Sequence, residues 1–227
     1  EEIIQEATEL AADGVRELVL VAQDTTYYGM DLYGSPRLTE LLQQLDRVEG
    51  LDWIRLMYFY PMYIDRPLLE TIAGSQKILP YIDMPLQHIS DNMLRRMSRR
   101  VTRTQTEQLL GQLRDTIPDL TLRTTMITGF PGETENDFGE LKDFVQQQQF
   151  EHLGVFTYSH EASTPSARLE GHLPEELKNS RRDAIMEIQQ EVAFARTASQ
   201  VGLQKDVIID QLLDAKANAW IGRTRGD

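Results

Sequence analysis

The chain contains no cysteine. That absence rules out disulfides and thiolate nucleophiles, and it rules out zinc or iron–sulfur ligation by these residues alone. Histidine is scarce, and His88, His152, His160 and His172 show no metal-ligand spacing. No run approaches the ~20 apolar residues of a membrane span. Basic residues are outnumbered, 23 against 36 acidic, for a net charge of -13. So acidic a chain is a poor non-specific binder of phosphate backbones, and it tolerates a basic protein partner. At 227 residues it fits one large domain, or one domain plus a piece. It begins at Glu1 without a methionine and ends at Asp227 inside a β-like pattern, so a fragment is expected.

What is present is organised around Leu122 to Thr134, LRTTMITGFPGET. It starts as a strand rich in β-formers and ends in a tight glycine turn. Gly129 begins the turn, Pro131 stiffens it, and Gly132 can take positive φ. Thr134 or Glu133 can cap the helix that follows, Asn136 to Gln149. A bare backbone at a strand's C-terminal end, before a helix N-terminus, suits close approach by a ligand. An ordinary βα turn reads the same way.

Upstream, Glu1 to Asp13 predicts a helix ended by Gly14. Leu18 to Ala22 is an apolar run, the mark of a strand buried on both faces. A polar loop, Gln23 to Gly34, follows, then a helix at Leu38 to Val48. Trp53 to Tyr60 reads as a strand stopped by Pro61. Asp65 to Ala73 reads as a helix with Pro67 in its first turn. Tyr81 to Met84 is a short strand before the loop PLQH, Pro85 to His88. Ser90 is placed to cap a helix from Asp91 to Met97, and Thr104 to Thr116 forms another helix. Leu153 to Tyr158 is the last strand of the series, followed by a loop from Ser159 to Leu173.

This βα alternation predicts a mainly parallel sheet with right-handed crossovers. Five strands are counted, and a first strand is expected upstream of Glu1. Six such units make a partial (βα)6 TIM-like barrel, because a full eight-unit barrel typically needs ~250 residues. The fold class is therefore α/β. Residues 1–173 are assigned to the barrel and 174–204 to a long connecting helix. That helix, Pro174 to Val201, could span ~40 Å, with Ile185, Ile188, Val192 and Ala195 as its apolar stripe. Residues 205–227 hold two antiparallel strands, Asp206 to Ile209 and Ala219 to Ile221. They read as the start of a small, truncated β domain that is too short to fold alone.

In such barrels ligands lie at the C-terminal ends of the strands. The loops there are Gln23 to Thr26, Tyr60–Pro61, Pro85 to His88, Gly129 to Glu133 and Ser159–His160, and all five are expected to share one rim. Gln23 and Asp24 could equally satisfy loop amides. Gln87 and His88 could be the polar end of a buried strand, or His88 a proton carrier. Arg123 could lie on the surface or face a carboxylate. Phe156 and Tyr158 could be core residues, or one could flank a flat ring. Arg95, Arg96, Arg99, Arg100 and Arg103 read as a solvated face, or as a contact for phosphate or an acidic partner.

Several long motifs in order resemble the radical S-adenosylmethionine methylthiotransferases. They are VAQDTTYYG (Val21 to Gly29), PYIDMPLQHISD (Pro80 to Asp91), LRTTMITGFPGETENDF (Leu122 to Phe138), LGVFTYS (Leu153 to Ser159) and IMEIQQE (Ile185 to Glu191). The tail AWIGRTRGD (Ala219 to Asp227) is similar to the opening of that family's terminal β domain, called TRAM. PLQH with QDTTYYG favours the branch that methylthiolates an aspartate β-carbon of small-subunit ribosomal protein twelve, over the branch that modifies tRNA adenosine. A non-catalytic scaffold that binds protein partners is the alternative of another class. The resemblance implies S-adenosylmethionine at the rim and two [4Fe-4S] clusters in the full-length protein. Their cysteines lie outside this chain, so no cluster is expected in it, its catalytic residues are unassigned, and alone it is expected to be inactive. Cofactor binding is implied for Gln23 and Asp24 (methionine end), Gln87 and Arg123 (ribose or carboxylate), Ile127 and Gly129 (adenine), and Phe156 or Tyr158 (flanking the ring). The implied partner is the ribosomal protein, with no membrane and no direct nucleic-acid contact for this chain. A cytoplasmic monomer is expected.

Overall fold

The computed structural model describes residues 1–226. Asp227, the last residue of the tail motif, lies outside the described residues. Helix α1 (Glu2–Ala12) precedes β1 (Glu17–Leu20), and Gly14 between them has φ 96°. The sheet continues with β2 (Trp53–Leu56), β3 (Ile78–Asp83), β4 (Thr121–Thr128) and β5 (His152–Thr157). All neighbours pair in parallel in the order β1-β2-β3-β4-β5. The crossovers carry α2 (Met30–Tyr33), α3 (Leu38–Leu45), α4 (Arg66–Gly74), α5 (Asp91–Arg96), α6 (Arg103–Thr116) and α7 (Glu135–Gln148). Helix α8 (Glu175–Ser199) leads to an antiparallel hairpin, β6 (Val207–Asp214) and β7 (Ala219–Thr224).

Alternation along the strands gives the sheet two faces. Leu18, Ile54, Leu56, Ile78, Ile82, Leu122, Met126, Leu153 and Val155 face the helices and join the main core. There they meet Leu41, Leu42 and Leu45 of α3, Leu109, Leu110 and Leu113 of α6, and Leu141, Phe144 and Val145 of α7. The opposite, inner face is closed only at its lower end. Trp53, Leu79 and Tyr81 form a cluster there, with Ile208 of β6 against it. Arg55 is buried beneath the hairpin. It pairs with Glu17 at 2.7 Å, stacks on Tyr81 at 4.6 Å, and donates to the carbonyls of Thr224 and Arg225. Arg223 of β7 completes an Arg55–Glu17–Arg223 triad. The hairpin is therefore docked on the sheet by ion pairs far apart in sequence.

Several elements differ from expectation. The apolar run at β1 predicts burial on both faces, yet β1 is an edge strand and Val19 is 44% exposed, because the inner face above the hairpin is open. The strand predicted over Trp53 to Tyr60 ends at Leu56, and Tyr58 turns the chain with φ 60°. The strand predicted from Tyr81 begins at Ile78 instead. Pro80 is tolerated inside it because the β2–β3 register shifts there and pairing with β4 starts only at Tyr81. The loop after β1 is not featureless; it contains a 3-10 turn at Thr25–Tyr27 and α2. The apolar stripe of α8 is incomplete. Ile185 is buried and Ala195 exposed, while Lys178, Arg181 and Gln189 share the buried face. Ser90 occupies the N-cap position of α5 without a capping bond, and its hydroxyl donates to Asp137 instead.

Candidate active site

Backbone and side-chain hydrogen bonds stitch the strand-end loops into one rim. Thr25 N–H donates to the Tyr58 carbonyl at 3.0 Å, and the Thr25 hydroxyl to that of Met57. Thr26 Oγ1 donates to the Tyr60 carbonyl at 3.2 Å. Phe59 N–H donates to the Asp83 carbonyl at 2.8 Å, joining the loop after β2 to the end of β3. Arg99 stacks over Tyr60 at 4.8 Å, donates to the Pro85 carbonyl at 2.6 Å and lies within the field of Asp24. Gln87 bridges to β4: its N–H donates to Thr125 O at 2.9 Å, and its carbonyl accepts from Ile127 N–H at 2.7 Å. Tyr158 N–H donates to Thr128 O at 2.9 Å. All five loops lie at the same end of the sheet.

The glycine turn is built from both sides. Gly129 has φ 74°, and an added Cβ would lie 2.3 Å from Lys178 Cγ. Gly132 has φ 83°, and its Cβ would meet the Arg96 guanidinium at 2.7 Å. Glu133 does not cap α7; Thr134 does, in a capping box with Asp137. Glu133 is instead buried inside the turn. It accepts from Gly129 N–H at 2.8 Å and from Arg181 Nη1 at 2.7 Å. Lys178, also buried, donates to the Tyr158 carbonyl at 3.0 Å. The first half of α8 thus holds the turn from behind with two buried cations. No local periodicity announces this, because those cations sit where an apolar stripe would be expected.

The predicted residues fall into two groups. Gln87, Ile127, Gly129, Phe156 and Tyr158 come together: Ile127 pairs in register with Phe156, and Tyr158 packs on Phe130 at 5.1 Å beside Ile127. Asp24 joins them through Arg99, and Gln23 is exposed on the same rim. Tyr158 is buried and gives its hydroxyl hydrogen to Ser166, whereas Phe156 is 63% exposed. Arg123 stands apart. It lies six residues before Gly129 on an extended strand, so roughly 20 Å along the chain from the turn. His88 is fully buried. Its Nδ1 accepts from Ser90 N–H, and its Nε2 is 3.6 Å from Glu133. Sealed there, it is part of the turn's support and has no route for carrying protons to a ligand. The arginine cluster is a solvated face only in part: Arg95 and Arg100 are exposed, and the other three are tied down. Arg96 holds the carbonyls of Pro131 and Glu170, Arg99 that of Pro85, and Arg103 pairs with Glu107 and Glu140.

One residue was missed entirely. Asp83 ends β3 on the inner face, 3% exposed. Its Oδ2 accepts from Tyr58 N–H at 3.3 Å, and its Oδ1 is 3.7 Å from Arg123 Nε. Burial pushes its carboxyl above the usual aspartate value, against the opposing pull of Tyr58 and Arg123. A buried, thinly partnered carboxylate beside an open hollow is a functional-site signal.

Comparison with known proteins follows the same outline. The profile of the radical SAM superfamily matches residues 1–145, well over half of the chain. The chain belongs to the radical SAM superfamily. This radical SAM chain is 47% identical over its whole length to the ribosomal protein uS12 methylthiotransferase RimO of Clostridioides difficile (strain 630), covering 51% of that protein. It is 45% identical to the protein of the same name from Christiangramia forsetii, covering 50% of it. The chain thus spans about half the length of the curated relatives it matches. Among solved structures it resembles the radical SAM enzyme coproporphyrinogen III oxidase HemN of Escherichia coli, at TM-score 0.59 and 17% identity, covering 87% of this chain and 46% of that one. It also resembles methylornithine synthase PylB, at TM-score 0.53 and 18% identity, covering 83% and 53%. These two show the fold, a TIM-like barrel of which five strands are present here.

Family membership implies S-adenosylmethionine and [4Fe-4S] clusters. The turn fits the first in that Gly129 and Gly132 put no side chain on the rim, their Cβ directions being filled by Lys178 and Arg96 of the chain itself. The second finds no ligands here, because the chain has no cysteine and the described residues contain no group of metal-binding side chains.

Proposed function

We propose that the protein is a radical SAM methylthiotransferase whose substrate is an aspartate of ribosomal protein uS12. The observation that carries this reading is the 47% identity, sustained over every residue of the chain, to a protein of that name. The net charge of -13 supports a basic protein substrate over a phosphate backbone. This chain supplies the cofactor cradle. Gly129 and Ile127 offer backbone and an apolar surface to the adenine, with Phe156 and Tyr158 at its flank. Gln87, whose φ of 72° is fixed by two backbone bonds to β4, presents its amide toward the ribose. Gln23 and Asp24 face the methionine end. When bound, S-adenosylmethionine supplies the hydrogen-abstracting radical chemistry of the superfamily. The chain's own residues bind and orient it, and α8 keeps the turn from opening. The residues after 204 are the start of a TRAM-like unit. The protein acts as a cytoplasmic monomer.

The test is product analysis. The reconstituted full-length protein is incubated anaerobically with S-adenosylmethionine, a sulfur source, and either purified uS12 or unmodified tRNA. Mass spectrometry should find one methylthio group replacing hydrogen on one uS12 aspartate. Modification of tRNA adenosine alone would assign the sister activity, and no modification of either would leave a scaffold.

A further inference from the structure

Residues 21–34 and 57–65, the loops after β1 and β2, are a tenth of the chain and hold six of its eight tyrosines. They are Tyr27, Tyr28, Tyr33, Tyr58, Tyr60 and Tyr63. Three of the six serve the fold. Tyr28 packs against the main core, Arg99 stacks over Tyr60, and Tyr63 meets the Tyr27 ring edge-on at 5.2 Å. The other three are open: Tyr27 and Tyr58 are each 44% exposed, and Tyr33 is 62% exposed. Leu32 and Met62, in the same loops, are exposed as well. The two loops make one joined surface. Thr25 and Thr26 are buried between them and bond to the carbonyls of Met57, Tyr58 and Tyr60. Tyr58 is held in a left-handed backbone, φ 60°, that a bulky residue seldom adopts. Its N–H donates to buried Asp83 at 3.3 Å, and its carbonyl accepts from Thr25 N–H at 3.0 Å. Strain fixed in place by neighbouring loops collects at functional contacts. Tyrosine offers large, rigid contact area at low entropic cost and is enriched at protein interfaces.

The charge of the surface selects its partner. The two loops carry Asp24, Asp31 and Asp65 and no lysine or arginine. The cations at their border are engaged: Arg37 with Glu40, Arg66 with Glu70, and Arg99 with the Pro85 carbonyl. Exposed aromatics also stack on nucleobases, but carboxylates without a free cation repel the phosphates between those bases. A protein that lives on ribosomal RNA is rich in lysine and arginine, and such a partner suits this surface. We propose that the two loops are the docking surface for the basic substrate protein. Tyr58, two residues past the end of β2, is its innermost contact. The inference rests on the reading that the substrate is ribosomal protein uS12. The sheet order puts β1 and β2 across the mouth from β4 and β5, beside the glycine turn. A protein docked on these loops reaches the mouth without displacing a cofactor seated on that turn.

The test uses the full-length holoprotein and purified uS12. Carbene footprinting read by mass spectrometry should label Tyr27, Leu32, Tyr33 and Tyr58 in the free protein, and uS12 should suppress that labelling. Fluorescence anisotropy with labelled uS12 gives the affinity. Tyr33→Ser, Tyr58→Gly and Asp31→Lys should each weaken binding about fivefold or more, the loss of an interface anchor. Tyr58→Gly should keep or raise the melting temperature, since glycine takes φ 60° without strain. A residue with only a structural role would not lower affinity while the fold holds. S-adenosylmethionine affinity should stay within about twofold in all three variants. The proposal is overturned if the loops resist labelling in the free protein, where another part of it or a second copy would cover them. It is overturned also if all three variants bind uS12 as wild type does, or if unmodified tRNA and not uS12 protects the loops. Methylthio transfer by wild type, read by mass spectrometry, tests the underlying reading separately. Transfer to uS12 without protection of the loops overturns the surface alone.

Discussion

Replacing Gly129 by alanine tests the glycine turn directly. Two costs can be worked from the structure. At φ 74° an L-residue is strained by ~1–2 kcal/mol. The new Cβ would also lie 2.3 Å from Lys178 Cγ and 2.9 Å from its Cβ, an overlap of the kind that costs ~1–3 kcal/mol in packed sites. Lys178 cannot swing aside freely, because it is buried and donates to the Tyr158 carbonyl at 3.0 Å. Gly129→Ala should therefore destabilise the barrel by ~2–5 kcal/mol in total. The two costs separate in a double-mutant cycle with Lys178→Ala. In that background the clash is gone and only the backbone strain of ~1–2 kcal/mol should remain. Urea unfolding of the barrel transition measures both increments. Calorimetry adds a second readout: S-adenosylmethionine affinity should fall in Gly129→Ala, where the clash displaces the turn, and recover in part in the double mutant, where the methyl group enters the space that Lys178 vacates. Additive increments, within ~0.5 kcal/mol, would refute the steric argument. Unchanged cofactor affinity would refute the cradle.

Asp83→Asn should raise thermal stability at neutral pH. Its folded pKa is raised by burial, so its favourable contribution is present below the ordinary value of ~3.9 and is lost as pH rises through the folded value. The gain from asparagine should vanish in melts at low pH. Asp137 behaves oppositely. Burial pushes it up, but hydrogen bonds from Ser90, Thr134 and Asn92 outweigh that and hold its carboxyl low. Its contribution is present above ~3.9 and lost as pH falls through the folded value, so Asp137→Asn should be less stable than wild type at pH 7 and flatten the acid limb of a stability profile. Arg55→Met leaves Glu17 buried beneath the hairpin with Arg223 as its remaining partner, so the loss should stay below the ~3–5 kcal/mol of a buried charge left unpaired. Hydrogen exchange over Val207–Thr224 should accelerate; unchanged protection would show that the hairpin holds without that contact. Gln87→Ala should weaken S-adenosylmethionine binding in a calorimetric titration, and wild-type affinity would remove Gln87 from the site.

The parts that were legible in the sequence are those encoded locally. The leucine spacing of α3 and α6 and the capping threonine of α7 mark their helices without help from the rest of the chain. Gly129 and Gly132 mark their turn because no other residue tolerates those φ values cheaply. What escaped notice is encoded over long distances. Pro80 hid the start of β3, since a register shift that excuses a proline cannot be read from one strand. Lys178 and Arg181 broke the apolar stripe of α8 because their partners lie 20 to 48 residues upstream. The docking of the hairpin depends on Glu17 and Arg223, which are 206 residues apart. Asp83 looked like one more strand-end residue until burial and Arg123 gave it a context.

The central claim is that five strand-end loops form one mouth and that its glycine turn receives the cofactor. The most direct measurement is a crystal structure of the full-length protein with S-adenosylmethionine. The account predicts the adenine against Ile127 and Gly129, with the ribose in reach of Gln87. Cofactor density lying away from the glycine turn, or bound at the hairpin end of the sheet, would contradict it.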